Sequence, residues 1–392
     1  MNANAKIQGL PLLTPQFALL LLATAIFGLS FSTYFLLPKF LAVELAADAV
    51  TIGGVGALSM LASVVTMPFI GVQVDRHGRK FFGFIGAALF SIASVGFLWV
   101  DSIGPLLLIL RVLQGSAFTL FYVSLSTLAT DISPAERLGQ AIGMFGAVMI
   151  STNAIGPALA EWGAAEYGWS AVFGATVCAA VLSAGLTLFI WEKPRAHDRH
   201  NSTSMLQVLK RPGLQRVLVV AVMVGWSMGA MYTFYQPWAL SRGIDQVSNY
   251  LIAFAICAML VRAGLGGLAD RLGRLRVATV ALFFYMAAPF SLIWLDLFGL
   301  FLTGAFLGLA HGLFFPALNA VAIDCTLENE RGKGMAAYHG AFNIGFAAGS
   351  YVLGYVAMLT SYPTIFAIAG VSCFAAFVLL TTVPRHIPGH HT

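Results

Sequence analysis

The sequence predicts an all-α membrane protein built as two parallel six-helix bundles around a central cavity. Three observations carry this reading: extreme apolarity, about twelve apolar runs long enough to cross a bilayer, and an internal repeat that halves the chain. Of 392 residues, 59% are hydrophobic and only 9% charged, where a soluble domain carries roughly 25% charged residues. So few charges cannot cover a surface in water, and the hydrocarbon core of a bilayer is the solvent that suits this chain.

Inside hydrocarbon every backbone N–H and C=O must be satisfied within the protein, so apolar runs of about twenty residues read as helices. They fall at 16–38, 48–72, 80–100, 104–130, 137–162, 168–191, 216–240, 247–268, 276–296, 299–323, 335–358 and 362–383. The first run, from Phe17, is too long for a signal-peptide core and has no A-x-A-like site after it, so no cleaved leader is expected. The longest polar stretch holds Lys193, Arg195, Arg199, Lys210, Arg211 and Arg216 near mid-chain. It separates an expected N-terminal bundle (1–191) from a linker (192–215) and a C-terminal bundle (216–392).

The positive charges are sorted by side. Loops after odd-numbered spans hold Lys39 and Arg242. Loops after even-numbered spans hold Arg76, Arg79, Lys80, Arg137, the linker cations, Arg271, Arg274, Arg276, Arg331 and Lys333. The positive-inside bias puts the linker and both termini in the cytoplasm, in a multi-pass protein of the plasma (inner) membrane. The net charge of +5 belongs to that sorting and does not point to nucleic acid. The four cysteines, Cys178, Cys257, Cys325 and Cys373, form no CxxC or His/Cys cluster, so neither a metal site nor a disulfide framework is expected. No nucleophile–base pair and no Gly-x-x-x-x-Gly-Lys loop occurs, so enzyme or ATPase activity and cofactors are not expected.

The two halves repeat at an offset of about 194 residues, with both copies in the same orientation, a plan known for transporters. After the second span the chain reads Gly71-Val-Gln-Val-Asp75-Arg76-His77-Gly78-Arg79-Lys80. After the eighth it reads Gly266-Gly-Leu-Ala-Asp270-Arg271-Leu-Gly273-Arg274. Asp131 before Glu136-Arg137 is echoed by Asp324 before Glu330-Arg331, and Gly146 by Gly340. Glycines permit a tight turn there, and Asp75 at a helix end can pair with Arg79 or cap a neighbouring helix. Asp131 is a further partner, and Asp270, Arg274 and Asp324 would repeat the arrangement.

These loops, the helix count and the central linker resemble the major facilitator superfamily over essentially the whole chain, and within it the twelve-helix drug/proton-antiporter-like branch. The resemblance implies a secondary transporter that alternates between two open states, with a small-molecule substrate and protons as partners and a monomer in the bilayer. It also implies that Gly71, Asp75, Arg76, Gly78, Arg79 and Asp131, with Asp270, Arg271, Arg274 and Asp324, form a cytoplasmic gate that holds the outward-open state.

Charges within apolar helices cost about 2.5–3.5 kcal/mol each on insertion scales and mark function. Two arginines qualify. Arg111, early in the fourth span, shares a helix face with Gln114 and Phe118. Its R-x-x-Q-G string resembles the superfamily's fourth-helix motif, in which the arginine is linked to proton coupling. Arg262 lies eight residues before Asp270, about 12 Å along a helix, and resembles the arginine of the monocarboxylate transporters that contacts the substrate anion. Other candidates for coupling are Glu161, His311 and His339, since a histidine changes charge near neutral pH. Gly156-Pro157 resembles an antiporter motif of the fifth helix, but Ala160-Glu161 stands where that motif has a glycine pair. The first span carries no acid between Gln16 and Pro38.

In this fold the cavity lies between the halves near the midplane. The expected lining is Phe27, Ser30, Phe31 and Tyr34, then Phe118 and Tyr122, then Trp226, Tyr232, Tyr235 and Gln236, with Arg262, Phe315, Asn319 and Asn343. This set is aromatic and sparsely polar, which suits an amphipathic or aromatic solute. The leading expectation is proton-coupled export of such a compound. The alternative is an organic-anion symporter or uniporter that uses Arg111 and Arg262.

Overall fold

A computed structural model describes residues 12–134, 137–192, 203–211, 213–265, 272–327 and 330–382; at Gly71, Val72, Asp75, Arg76, His77 and Leu265 it describes the backbone alone. Asp270 and Arg271 therefore lie outside the described residues, as do the side chains of Asp75 and Arg76.

The described residues form twelve long helices. In chain order they are α1 (Pro15–Val43), α2 (Ala49–His77), α3 (Arg79–Gly96), α4 (Pro105–Asp131), α5 (Leu138–Tyr167), α6 (Trp169–Leu188), α7 (Leu214–Ser241), α8 (Ser248–Leu265), α9 (Arg274–Ser291), α10 (Leu297–Asp324), α11 (Arg331–Leu359) and α12 (Tyr362–Thr381). All but α8, described only as far as Leu265, are long and apolar enough to cross a membrane. Their surfaces carry exposed Phe69, Ile109, Leu260 and Val371, which lipid accommodates and water would not. Trp99, Trp162, Tyr167, Trp191 and Trp294 are exposed near helix ends, where headgroups meet hydrocarbon.

Local chemistry sets the ends. Thr14 caps α1 by accepting from the Phe17 N–H, Asp48 caps α2 through Thr51, and Asp296 caps α10 through Gly299. The helix α1 runs five residues past the expected end at Pro38. It tightens into a 3-10 turn at Tyr34–Leu36 and then resumes at Leu37–Val43, because Pro38 sits where a new first turn needs no N–H. The two repeated loops turn on glycines at the same place, Gly78 (φ 97°) and Gly273 (φ 95°), a conformation that side chains resist.

Close contacts hold each half together. In the N-terminal half α4 lies on α2 at Gly115, where a Cβ would come within 2.0 Å of the Ser59 carbonyl oxygen. Thr119 donates to Ser63 one turn further on. In the C-terminal half α7 and α11 interlock: Gly225 and Gly229 face the carbonyls of Phe342 and Phe346, and Gly345 and Gly349 face those of Val222 and Trp226. Small residues are how membrane helices gain packing, since lipid offers no hydrophobic drive for association. Gly115→Ala has no room unless backbone moves, and should cost about 1–3 kcal/mol. The check is a lowered thermal midpoint of the purified protein.

The halves meet along α2 with α11 and along α5 with α8. Buried apolar residues divide into one cluster from Leu12 to Ile190 and another drawn mainly from Val208 to Leu380. Among the described residues between Leu188 and Leu214, the short helix Met205–Leu209 carries a Ser204/Gln207 capping box and buries Val208 under the second half.

Candidate functional site

Arg111 is bound within its own half. Its Nε donates to the Val55 carbonyl (3.2 Å), one Nη to Gln114 Oε1 (2.8 Å) and the other to Ser59 Oγ (2.7 Å). Gln114 itself is buried. The guanidinium thus ties α4 to α2, and its donors are largely committed. Around it, Phe31 stacks on Phe118 at 4.0 Å, Phe118 on Tyr122 at 5.5 Å, and Tyr122 meets Phe145 on α5.

Arg262 is placed differently. Among the described residues, none forms a hydrogen bond or ion pair with its guanidinium; Nε is buried without a partner, while the two Nη atoms are not sealed off. One Nη reaches α5, 3.4 Å from where a Cβ on Gly146 would stand. Tyr122, Tyr285 and His311 are within electrostatic reach. His311 Nδ1 meets the Tyr285 hydroxyl at 2.6 Å. Its ring lies among Phe254 and Phe315, and Phe315 also packs on His339, Tyr338 and Phe342. Asn319 Oδ1 is buried with no partner among the described residues, and Asn343 is half-buried on α11. Tyr232 reaches Phe35 of the other half at 5.9 Å and Phe254 of its own at 6.0 Å.

Five expected lining residues sit elsewhere. Phe27 is fully buried and stacks on Phe121 at 3.7 Å, and Ser30 is buried and donates to the Thr176 carbonyl at 2.9 Å. Tyr34 is buried inside the N-terminal half, with its hydroxyl 3.2 Å from Thr176 Oγ1 and its ring among Phe90, Phe97 and Phe173. Tyr235 is fully buried and stacks on Tyr250 at 4.2 Å. Trp226, by contrast, is half-buried on α7 and packs against the same core as Tyr232 and Phe315. Gln236 bridges the halves, donating to the Phe35 carbonyl (2.5 Å) and accepting from the Lys39 N–H (3.0 Å).

That bridge belongs to a closure on the side away from the linker. Glu161 at the end of α5 takes Lys39 Nζ at 2.6 Å, the Val247 N–H at 3.0 Å and the Ser248 N–H at 2.9 Å. A carboxylate from one half thereby caps the first turn of α8 in the other, where the helix dipole favours an anion. Lys39 also donates to the Asp245 carbonyl at 2.5 Å. Beside it, Gly53 and Gly354 bring α2 and α11 into backbone contact with Ser350 and Ala49. Glu161, expected as a coupling acid, is thus placed as a latch. Its partners on Lys39 and α8 escaped sequence reading, although Lys39 is conspicuous as one of two basic residues, with Arg242, in the loops of that side.

Towards the linker side, a Cβ on Gly143 of α5 or on Gly264 of α8 would meet nothing within 4 Å, and α4 and α10 are not among the helix pairs that pack extensively. The charges there pair within their own halves: Arg79 with Asp131, and Arg274 with Asp324 at 2.6 Å. Glu192, read from sequence only as the start of the linker, accepts from the Arg79 and Lys80 N–H groups (2.7 and 3.0 Å) and caps α3. In the C-terminal half Arg211 grips Glu330 with two hydrogen bonds (3.0 and 2.8 Å), and Lys333 donates to the Thr203 carbonyl. Arg211 holds the Glu330 carboxyl below its ordinary value. The clamp is therefore fully present above the usual carboxylate range and is lost only as pH falls through that lowered value.

A model of the Major Facilitator Superfamily matches residues 20–305 and 296–392. The chain belongs to this superfamily and is a transporter rather than an enzyme. Solved structures of the same fold include a single-residue mutant of the nucleoside transporter NupG, with a TM-score of 0.79 at 16% identity over 94% of this chain and 99% of that one. NupG without that substitution aligns with a TM-score of 0.73 at 16% identity over 95% and 100%. The human organic anion transporter MFSD10 (TETRAN) aligns with a TM-score of 0.71 at 16% identity over 94% and 100%.

Proposed function

From that membership, we propose that the chain carries a small organic anion with a planar or aromatic body, by rocking its two halves about a central site. The observation that carries this reading is Arg262: a guanidinium within the membrane whose outer nitrogens have no acceptor among the described residues, with Tyr122, Tyr285 and His311 within electrostatic reach. A fixed cation without a counter-charge is costly in an apolar interior, and a bound carboxylate or sulfonate supplies what is missing. Arginine presents a planar fork that matches such groups with two hydrogen bonds. That an organic anion transporter shares this fold is consistent with the reading.

The competing expectation, proton-coupled export of an amphipathic compound, shares the aromatic lining but draws its coupling from Arg111. The hydrogen bonds of that guanidinium are largely committed to α2 and Gln114, so the anion reading is favoured. In it, the linker side and both termini face the cytoplasm, as the charge sorting implies. The far-side closure then makes the described state inward-open. Asp75, Arg76, Asp270 and Arg271, with Arg79 and Arg274, would belong to the gate that closes that side.

The experiment is a thermal-shift comparison of three benzene derivatives of similar shape: benzenesulfonate, benzenesulfonamide and benzyltrimethylammonium. A ligand at a hundred times its Kd stabilises the native state by about 2.7 kcal/mol. Only the sulfonate should raise the midpoint. A shift with the ammonium compound alone would replace the anion reading.

A further inference from the structure

Resting on the anion reading, we propose that His311 is the proton-binding residue and that a proton and the substrate anion enter the site as an electroneutral pair. The ring stands at the junction of α8, α9 and α10. Nδ1 is held by the Tyr285 hydroxyl at 2.6 Å, and Tyr285 is fully buried. Nε2 has no hydrogen bond from the described residues and is not sealed off, so one edge of the imidazole is anchored and the other is open. A hydroxyl suits both protonation states, since it donates to a bare Nδ1 and accepts from a protonated one.

The surroundings give that proton a reason to travel with an anion. The charged and titratable groups around His311 are Tyr285 on α9, Arg262 on α8, and Tyr338 and His339 on α11 behind Phe315. Tyr232 on α7, Cys373 on α12 and Tyr122 on α4 join the set through Tyr285 and Arg262. No acid is in this set of described residues, so a protonated His311 beside Arg262 has no counter-charge from them. An anion on Arg262 supplies it. Proton and anion then each strengthen the other's binding, and linkage makes the effect equal in both directions. Empty, the site carries the single charge of Arg262. Loaded with one anion and one proton, it carries the same charge. Crossing the membrane then moves no net charge with substrate, and a pH gradient drives it while a membrane potential does not.

The proton is one that binds and leaves. His311 Nε2 takes it from water on one side and returns it on the other, with no bond made or broken in the substrate.

The test uses the purified full chain in liposomes, an entrapped pH dye, and labelled benzenesulfonate, a permanent anion that cannot carry a proton itself. Wild type should take up one proton per sulfonate and respond to an imposed pH gradient but not to a potassium-diffusion potential. His311→Gln keeps a side chain that can bond to Tyr285 but holds no proton. It should lose gradient-driven uptake at least tenfold while still exchanging internal for external sulfonate. Tyr285→Phe should keep the one-to-one ratio and move the pH midpoint of uptake. His339→Gln should leave the ratio at one. Wild-type exchange without proton uptake, or proton uptake that survives in His311→Gln and vanishes in His339→Gln, overturns this inference alone. Absence of sulfonate exchange in wild type overturns the anion reading beneath it and this inference with it.

Discussion

Removing the Glu161 carboxylate should open the far side of the transporter. Glu161→Ala deletes one ion pair and two hydrogen bonds to the first turn of α8, all of them between the halves. Hydrogen bonds to charged groups are worth about 1.5–3 kcal/mol each in net terms. Part exposure of both partners reduces that, so a loss of about 2–3 kcal/mol for the set is reasonable. Such a loss raises the far-side-open population roughly 30–150-fold relative to the closed one. Lys39→Ala should act in the same direction and more weakly, because Glu161 keeps the two N–H groups of α8. Spin labels at Ala46 and Gln246, exposed in far-side loops of opposite halves, report the change as a longer distance peak. A distance distribution identical to wild type would mean that the glycine contacts of α2 and α11 hold the far side shut by themselves.

The second large effect belongs to Arg262. Arg262→Ala removes the guanidinium that the proposed anion needs, and leaves the aromatic surroundings intact. Losing a charge-assisted pair of hydrogen bonds costs about 3 kcal/mol, which is about a hundredfold in affinity. Arg262→Lys should recover part of it, since lysine restores the charge without the planar fork. Arg111→Ala should behave in another way. It releases the α2–α4 tie at Val55 and Ser59 and should lower thermal stability. The readout that separates the two is the titrated affinity for benzenesulfonate beside the unliganded thermal midpoint. Arg262→Ala should change the first and spare the second.

Much of the fold was legible because membrane helices announce themselves. Apolar runs placed the twelve helices with their described ends within about five residues; α1, α2 and α5 each run five residues past the expected end, α1 because Pro38 restarts it instead of ending it. The repeat placed Arg79 near Asp131 and Arg274 near Asp324, because a copied loop carries its partners with it. Within one helix, spacing alone set Gln114 beside Arg111. The site was less legible. Tyr34, Tyr235 and Gln236 occupy cavity-lining helices, but their azimuth turns them into the packing or the far-side bridge. Helical period cannot fix azimuth when every face is apolar, as in a membrane bundle. The contrast between a committed Arg111 and an uncommitted Arg262 was also hidden. It depends on carbonyl and hydroxyl groups of α2, more than fifty residues away in sequence.

The central claim is that this transporter carries an organic anion on Arg262. Counterflow in liposomes tests it most directly: vesicles preloaded with benzenesulfonate, benzenesulfonamide or benzyltrimethylammonium, and entry of the labelled form of each followed over time. The account predicts transient accumulation of the sulfonate alone, abolished in Arg262→Ala and partly restored in Arg262→Lys. Accumulation of the ammonium compound, or sulfonate counterflow undiminished in Arg262→Ala, would contradict it.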